Sequence, residues 1–143
     1  MIPEETLLNG RVVRKHLPTS DGTPVDPVHQ LGRFLLARGE LARMHNAEPA
    51  MRHIAYVELK EGLFRGAHYH RLREEHLYLI SGRVLFSVED IATKQRETCE
   101  LGTGDLVIIP PEVAHLFEVE QSGHGVEFSA TLYDAADTYR YPF

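Results

Sequence analysis

From Arg52 onward, short segments rich in Val, Ile, Leu, Phe and Tyr follow one another at near-regular intervals, divided by Gly, Pro, Asp or Ser: "RHIAYVELKEG", "EHLYLISG", "RVLFSVED", "ETCELGTGD", "LVIIPP", "AHLFEVEQSG" and "GVEFSATLYD". Strands at such spacing with turn signals between them build an all-β barrel or sandwich. In "RVLFSVED", Val84, Phe86 and Val88 alternate with Leu85, Ser87 and Glu89, which is the pattern of a half-buried strand. The Ser-Gly of "ISGRV" predicts a hairpin turn between two of these strands.

The first fifty residues are less regular. "NGRVVRKHL" reads as a strand and "PTSDGTPVDP" as a loop, by its Pro, Gly, Ser and Asp content. In "LGRFLLARGELARMHN", Asp26-Pro27 just upstream suits a helix start. Gly32 and Gly39 each disfavour a helix by roughly 1 kcal/mol relative to alanine, so a strand through Phe34 to Ala37 is expected. No internal repeat or heptad run interrupts the chain. One domain is therefore expected, with residues 51–143 forming the barrel and residues 1–50 packing on it or on a partner subunit.

Composition narrows the function classes. With 143 residues, 43% of them hydrophobic, the chain buries a core unaided. A net charge of −6 and the lack of a dense Lys/Arg block argue against nucleic acid as partner. Cys99 is the single cysteine, which excludes an internal disulfide framework and fits a reducing compartment. The segment "MIPEETLLNG" lacks a basic stretch leading into an apolar one, and "LVIIPP" is too short to span a bilayer, so a soluble cytoplasmic protein with no membrane partner is expected.

The chemistry concentrates in "GLFRGAHYHRLREEHLYLISG", Gly62 to Gly82. On a strand His68 and His70 face the same way, with Tyr69 opposite. Glu75 shares parity with the apolar Leu77 and Leu79, so its carboxylate enters the interior and needs a cation, a proton or hydrogen-bond donors there. His115 is in phase with Phe117 and Val119 at the start of a later strand. Three imidazoles and one carboxylate suit one divalent transition metal, with iron, nickel, manganese, copper and zinc all compatible. Glu74 is expected to face solvent. His16, His29, His45, His53, His76 and His124 are read as ordinary exposed or hydrogen-bonded residues.

These residues resemble the cupin superfamily. Its first motif runs Gly, five residues, His-x-His, four residues, Glu, six residues, Gly, and Gly62, His68, His70, Glu75 and Gly82 fill every place. Its second motif is met by Gly104, Pro110 and His115, while Glu112 stands in place of a glycine and Val119 in place of an asparagine. The resemblance implies a small jelly-roll-like cupin β-barrel of two antiparallel sheets, with an N-terminal strand extension and a metal in the barrel mouth.

A narrower resemblance, carried by Arg65-Gly66-x-His68-x-His70, "GDLVIIPPEVAH" and the tail from Tyr133-Asp134 to Tyr139-Arg140, is to the WxcM-like, dTDP-sugar 3,4-ketoisomerase branch. It implies proton transfer in a keto-sugar by His68 and His70, and homodimers that exchange N-terminal strands. The chain departs from that branch in keeping the full set His68, His70, Glu75 and His115. Moving a ketone to the next carbon needs a base and positive charge near the oxygens. A metal on the quartet would supply that charge, Arg65 would bind a diphosphate or carboxylate, and Tyr78, Tyr56 and Tyr133 are candidate proton carriers or substrate contacts. The expected function is a keto-sugar isomerase or epimerase acting on a small-molecule substrate. The alternatives are metal-dependent oxygenation of a small enol or diketone, and a non-catalytic sugar- or metal-binding module.

Overall fold

The computed structural model describes residues 2–21, 28 and 30–143. It is all-β, as the spacing predicts. Twelve strands are present among these residues: β1 (Glu4–Leu7), β2 (Val12–His16), β3 (Thr19–Ser20), β4 (Gly32–Leu36), β5 (Gly39–Arg43), β6 (His53–Leu59), β7 (Phe64–Tyr69), β8 (Glu75–Asp90), β9 (Arg96–Gly102), β10 (Asp105–Ile109), β11 (Val113–Ser129) and β12 (Tyr139–Arg140), with one 3-10 turn at Ala135–Asp137. Nine strands form one sheet in the order β1-β2-β10-β8-β11-β7-β12, with β6 on β11 and β9 on β8, while β3, β4 and β5 form a separate small sheet.

The sheet is organised by two long strands, which corrects the expected turn at "ISGRV". β8 continues through Ser81 and Gly82 for 16 residues, and β11 runs for 17 through "QSGHG". They pair antiparallel almost throughout, with register shifts between Val119 and Gly125. Here both strands turn a corner, so the first half of β8 pairs with β10 and its second half with β9. The glycines signal close backbone approach in place of a chain reversal. Gly82 has φ +98, and a Cβ at Gly123 would lie 1.9 Å from the Ser81 carbonyl oxygen.

The bend folds the sheet over one apolar core, in a jelly-roll arrangement. Leu77, Leu79, Val84, Phe86 and Val88 of β8 pack there with Val107 and Ile109 of β10 and Phe117 and Val119 of β11. Phe86 and Phe117 stack at 5.0 Å. A second cluster, Leu17, Leu31, Tyr78, Leu106 and Phe128, lies on the other side of β8, where Ala42, Met44 and Met51 pack against it. Strand alternation thus assigns Leu77 and Leu79 to the first cluster and Tyr78 to the second, and past the corner at Gly82 the even-numbered Val84, Phe86 and Val88 take the inward face.

In the N-terminal fifty, the expected strand near Phe34 is present as β4, which forms an antiparallel hairpin with β5. The Asp26-Pro27 helix start and His29 fall outside the described residues. Among the described residues, no helix is long and apolar enough to cross a membrane.

Candidate functional site

His68 and His115 are register partners on β7 and β11, so their side chains leave the sheet on the same side. The register between β11 and β7 shifts immediately after His115. Gly66 makes this irregularity feasible: its φ is +93, and a Cβ on it would come within 2.6 Å of the His115 carbonyl oxygen. His70 follows one residue after β7 ends, and Glu75 opens β8. The turn before β11 uses a left-handed backbone at Glu112, φ 66, where the second cupin motif has glycine. The substitution therefore leaves the turn in place at the expense of local strain.

The three imidazoles converge, with ligand-capable nitrogens all within 4.8 Å of one another. The rings of His68 and His70 lie 4.9 Å apart and those of His68 and His115 4.8 Å apart. Glu75 Oε2 is 3.0 Å from His115 Nε2, and its Oε1 is 3.8 Å from His70 Nε2. His70 Nδ1 donates to the Asp137 carbonyl at 2.8 Å, and His115 Nδ1 to that of Val113 at 3.3 Å. Both rings therefore turn Nε2 into the site, where neither nitrogen has a hydrogen-bond partner among the described residues. A bare imidazole lone pair 3.0 Å from a carboxylate is repulsive. A proton or a cation between them relieves this, so the donor set fits a divalent metal as well as an imidazolium.

The imidazoles differ in proton affinity. Burial, reinforced by the neighbouring His115, pushes His68 down to about 4. Burial also opposes protonation of His70, but Glu75 and the Asp137 carbonyl outweigh it and raise its pKa. Glu75 sits well below the usual carboxylate range, because His115 and His70 overcome the cost of its burial.

These groups line a cavity of about 290 Å³ together with Tyr56, Arg65, Arg73, Glu127, Tyr133 and Thr138. Arg65, expected to bind substrate, reaches the cavity, with Nε donating to the Glu58 carbonyl at 2.9 Å. Tyr56 is on the rim, with its hydroxyl 2.5 Å from His124 Nδ1. Tyr133 stacks on His53 at 5.5 Å. Tyr78 is the exception: strand alternation buries it in the second cluster, on the far side of β8 from Glu75, so it cannot carry protons in this cavity. Glu74 faces solvent, as expected, with a side chain 54% exposed.

Sequence reasoning missed Arg73, Asp137 and Glu127. Arg73 is two residues before Glu75, and its side chain is only 6% exposed, 3.5 Å from Glu75 and 3.6 Å from Glu127. It is part of the answer to what neutralises the buried Glu75. The alternation that turned Glu75 inward offered a signal for it, but "RLREE" looks like a solvated charged loop. Asp137 accepts backbone N–H groups of Arg71, Leu72 and Arg73 at 2.8 to 3.3 Å. No spacing rule links it to a loop more than sixty residues away.

Comparison with solved structures gives dTDP-4-dehydrorhamnose 3,5-epimerase from Sulfolobus tokodaii (TM-score 0.74, 17% identity, 96% of this chain and 80% of that one). It also gives a 3,4-ketoisomerase from Thermoanaerobacterium thermosaccharolyticum solved in complex with TDP (0.70, 17%, 94% and 89%), and the TDP-quinovose 3,4-ketoisomerase from Campylobacter jejuni (0.67, 21%, 77% and 88%). At these identities the likeness is one of fold. No curated protein matches the chain by sequence. The sequence pattern of the cupin domain matches residues 55–129, more than half of the chain and nearly every strand around the histidine cluster. The protein is a member of the cupin domain family.

Proposed function

We infer that the protein isomerises or epimerises a keto-sugar by proton transfer through an enediolate. The observation that carries this reading is the convergence of His68, His70 and His115 in one cavity, with neighbouring imidazoles whose proton affinities are driven apart. Groups separated in this way take the base and acid roles of one reaction. His68, neutral near pH 7, removes the proton from the hydroxyl-bearing carbon beside the ketone. The C–H electron pair becomes the enediolate double bond and the ketone oxygen gains the charge. His70 returns a proton to the former ketone carbon, the hydroxyl proton passes to the former ketone oxygen, and the carbonyl reforms one carbon along.

Fold likeness to dTDP-sugar epimerases and ketoisomerases supports a nucleotide-linked substrate. The cavity of about 290 Å³ is of a size for the sugar alone, leaving the diphosphate near Arg65 at its edge. A divalent metal would be held by His68, His70 and His115 with Glu75 beside them, and when bound it supplies positive charge for the developing oxyanion. Association of two copies through the N-terminal strands belongs to the same proposal, and sedimentation as a monomer at micromolar concentration would count against it.

The test is product analysis by NMR after incubation with a nucleotide-linked 4-keto-6-deoxy sugar. The 3-keto isomer or a ring epimer should appear with the wild type and not with His70→Ala. A substrate left unchanged by the wild type contradicts the proposal. A second reading, metal-dependent oxygenation of an enol or diketone, draws support from the Nδ1-to-carbonyl bonds of His70 and His115, the way metal-binding imidazoles are oriented. Oxygen consumption by iron-loaded protein with such a substrate would favour it.

A further inference from the structure

The three imidazoles do not present themselves equally to the cavity. His68 is half-buried and lines it, while His70 is 5% and His115 1% exposed, with both of their Nε2 atoms buried. A sugar ring in the cavity therefore meets the cluster from the side that His68 occupies. The ring of His70 lies 4.9 Å from that of His68, so a proton held by either imidazole reaches the sugar from one direction.

Spacing excludes the other arrangement, in which two imidazoles grip the ring from opposite faces. Proton transfer to or from carbon needs nitrogen and carbon about 3 to 3.5 Å apart. Nitrogens on opposite faces of two adjacent ring carbons would then stand about 6 to 7 Å from each other. The ligand-capable nitrogens of His68, His70 and His115 all lie within 4.8 Å of one another, too close for a pyranose ring between them. The opposite wall does not replace them. The corner in β11 sets β6, which pairs beyond it, across from β7, which pairs before it. Val57 and Leu59 of β6 and Leu77 of β8 line the cavity there and carry no exchangeable proton. Glu127 on the same wall is ion-paired with Arg73 at 3.6 Å, and an ion-paired carboxylate has no proton to give.

We propose that the imidazole cluster serves a single face of the sugar ring, so that the protein moves the ketone to the neighbouring carbon and does not invert ring carbons. The proposal rests on the keto-sugar reading and adds the configuration of the product. In a gluco-configured 4-keto-6-deoxy sugar, the hydrogen on the hydroxyl-bearing carbon beside the ketone is axial and points to one face. The 4-hydrogen of the parent glucose points to the other. Removing the first and returning a proton from the same side therefore leaves the new 4-hydroxyl axial, as in galactose. One carbon loses a hydrogen and its neighbour gains one, so no oxidant or reductant is required. Epimerisation needs departure on one face and return on the other at the same carbon, which a one-sided cluster does not provide.

The test is the configuration of the first product. Wild-type protein is incubated in ordinary water with a nucleotide-linked 4-keto-6-deoxy-glucose, and the sugar is read by proton NMR at early turnover, before spontaneous equilibration. The expected product is the 3-keto isomer, with a small coupling between the new carbinol hydrogen and the hydrogen on the methyl-bearing carbon, which marks an axial 4-hydroxyl. A large, diaxial coupling marks an equatorial hydroxyl and overturns the proposal, as does a ring epimer of the starting ketone. Both of these outcomes leave the keto-sugar reading intact. Absence of any isomer or epimer overturns that reading and the proposal with it. In a second measurement, starting sugar recovered from heavy water should carry ring deuterium with its configuration retained. Deuterated sugar of inverted configuration overturns the proposal.

Discussion

Replacing Asp137 with alanine should damage both stability and the site, although Asp137 does not line the cavity. Its carboxylate accepts the N–H groups of Arg71 at 2.8 Å, Leu72 at 3.2 Å and Arg73 at 3.1 Å, and the residue is 7% exposed. These bonds outweigh the cost of burial and hold its pKa below the ordinary value. Hydrogen bonds to a charged group contribute about 1.5 to 3 kcal/mol each, and they are not additive in a single cluster. Alanine leaves three backbone donors to find water, so about 3 to 5 kcal/mol should be lost. Asp137→Asn keeps one acceptor oxygen and should lose about half as much. Urea unfolding followed by circular dichroism measures the loss. Amide exchange at Arg71, Leu72 and Arg73 should accelerate well beyond the average of the sheet, since these are the groups released. A loss under about 0.5 kcal/mol with unchanged exchange at those three amides would refute the claim that the C-terminal turn holds the loop bearing His70 and Arg73.

Other outcomes follow from the same geometry. Gly66→Ala should cost about 2 to 4 kcal/mol, because a left-handed backbone is combined with a 2.6 Å approach to the His115 carbonyl, and thermal unfolding should reveal it. His76, held down to about 4 mainly by its burial, takes up its proton more readily when unfolded, so stability should fall as pH drops from about 6.5 to 4. The loss is about 2 kcal/mol after allowance for solvent screening, and His76→Leu should flatten the slope measured by denaturant titration. Zinc at a hundredfold excess over its Kd should stabilise the wild type by about 2.7 kcal/mol. The effect should be absent in His115→Ala, and equal stabilisation of the two proteins would exclude the histidine cluster as the site.

The strand content and the histidine quartet were legible because both follow from a period of two. His68 and His70 were placed by parity with each other, Glu75 by parity with Leu77 and Leu79, and His115 by parity with Phe117 and Val119, and the structure brings them together. The same parity, applied to Tyr78, would have moved it to the other face. Gly82 misled because a glycine that permits a turn also permits two backbones to touch, and sequence alone does not distinguish them. Arg73 and Asp137 were hidden for a different reason. A charged loop looks solvated until the tail that covers it is placed, and that contact spans more than sixty residues of chain.

Deuterium incorporation tests the proton-transfer account most directly. The wild-type protein is incubated with a nucleotide-linked 4-keto-6-deoxy sugar in heavy water, and the recovered sugar is examined by mass spectrometry and NMR. The account requires a mass gain of about one unit per exchanged position, located on the ring carbon next to the ketone, and no gain with His68→Ala, which lacks the base. Recovery of the sugar without ring deuterium from wild-type protein, with or without added metal, would contradict it.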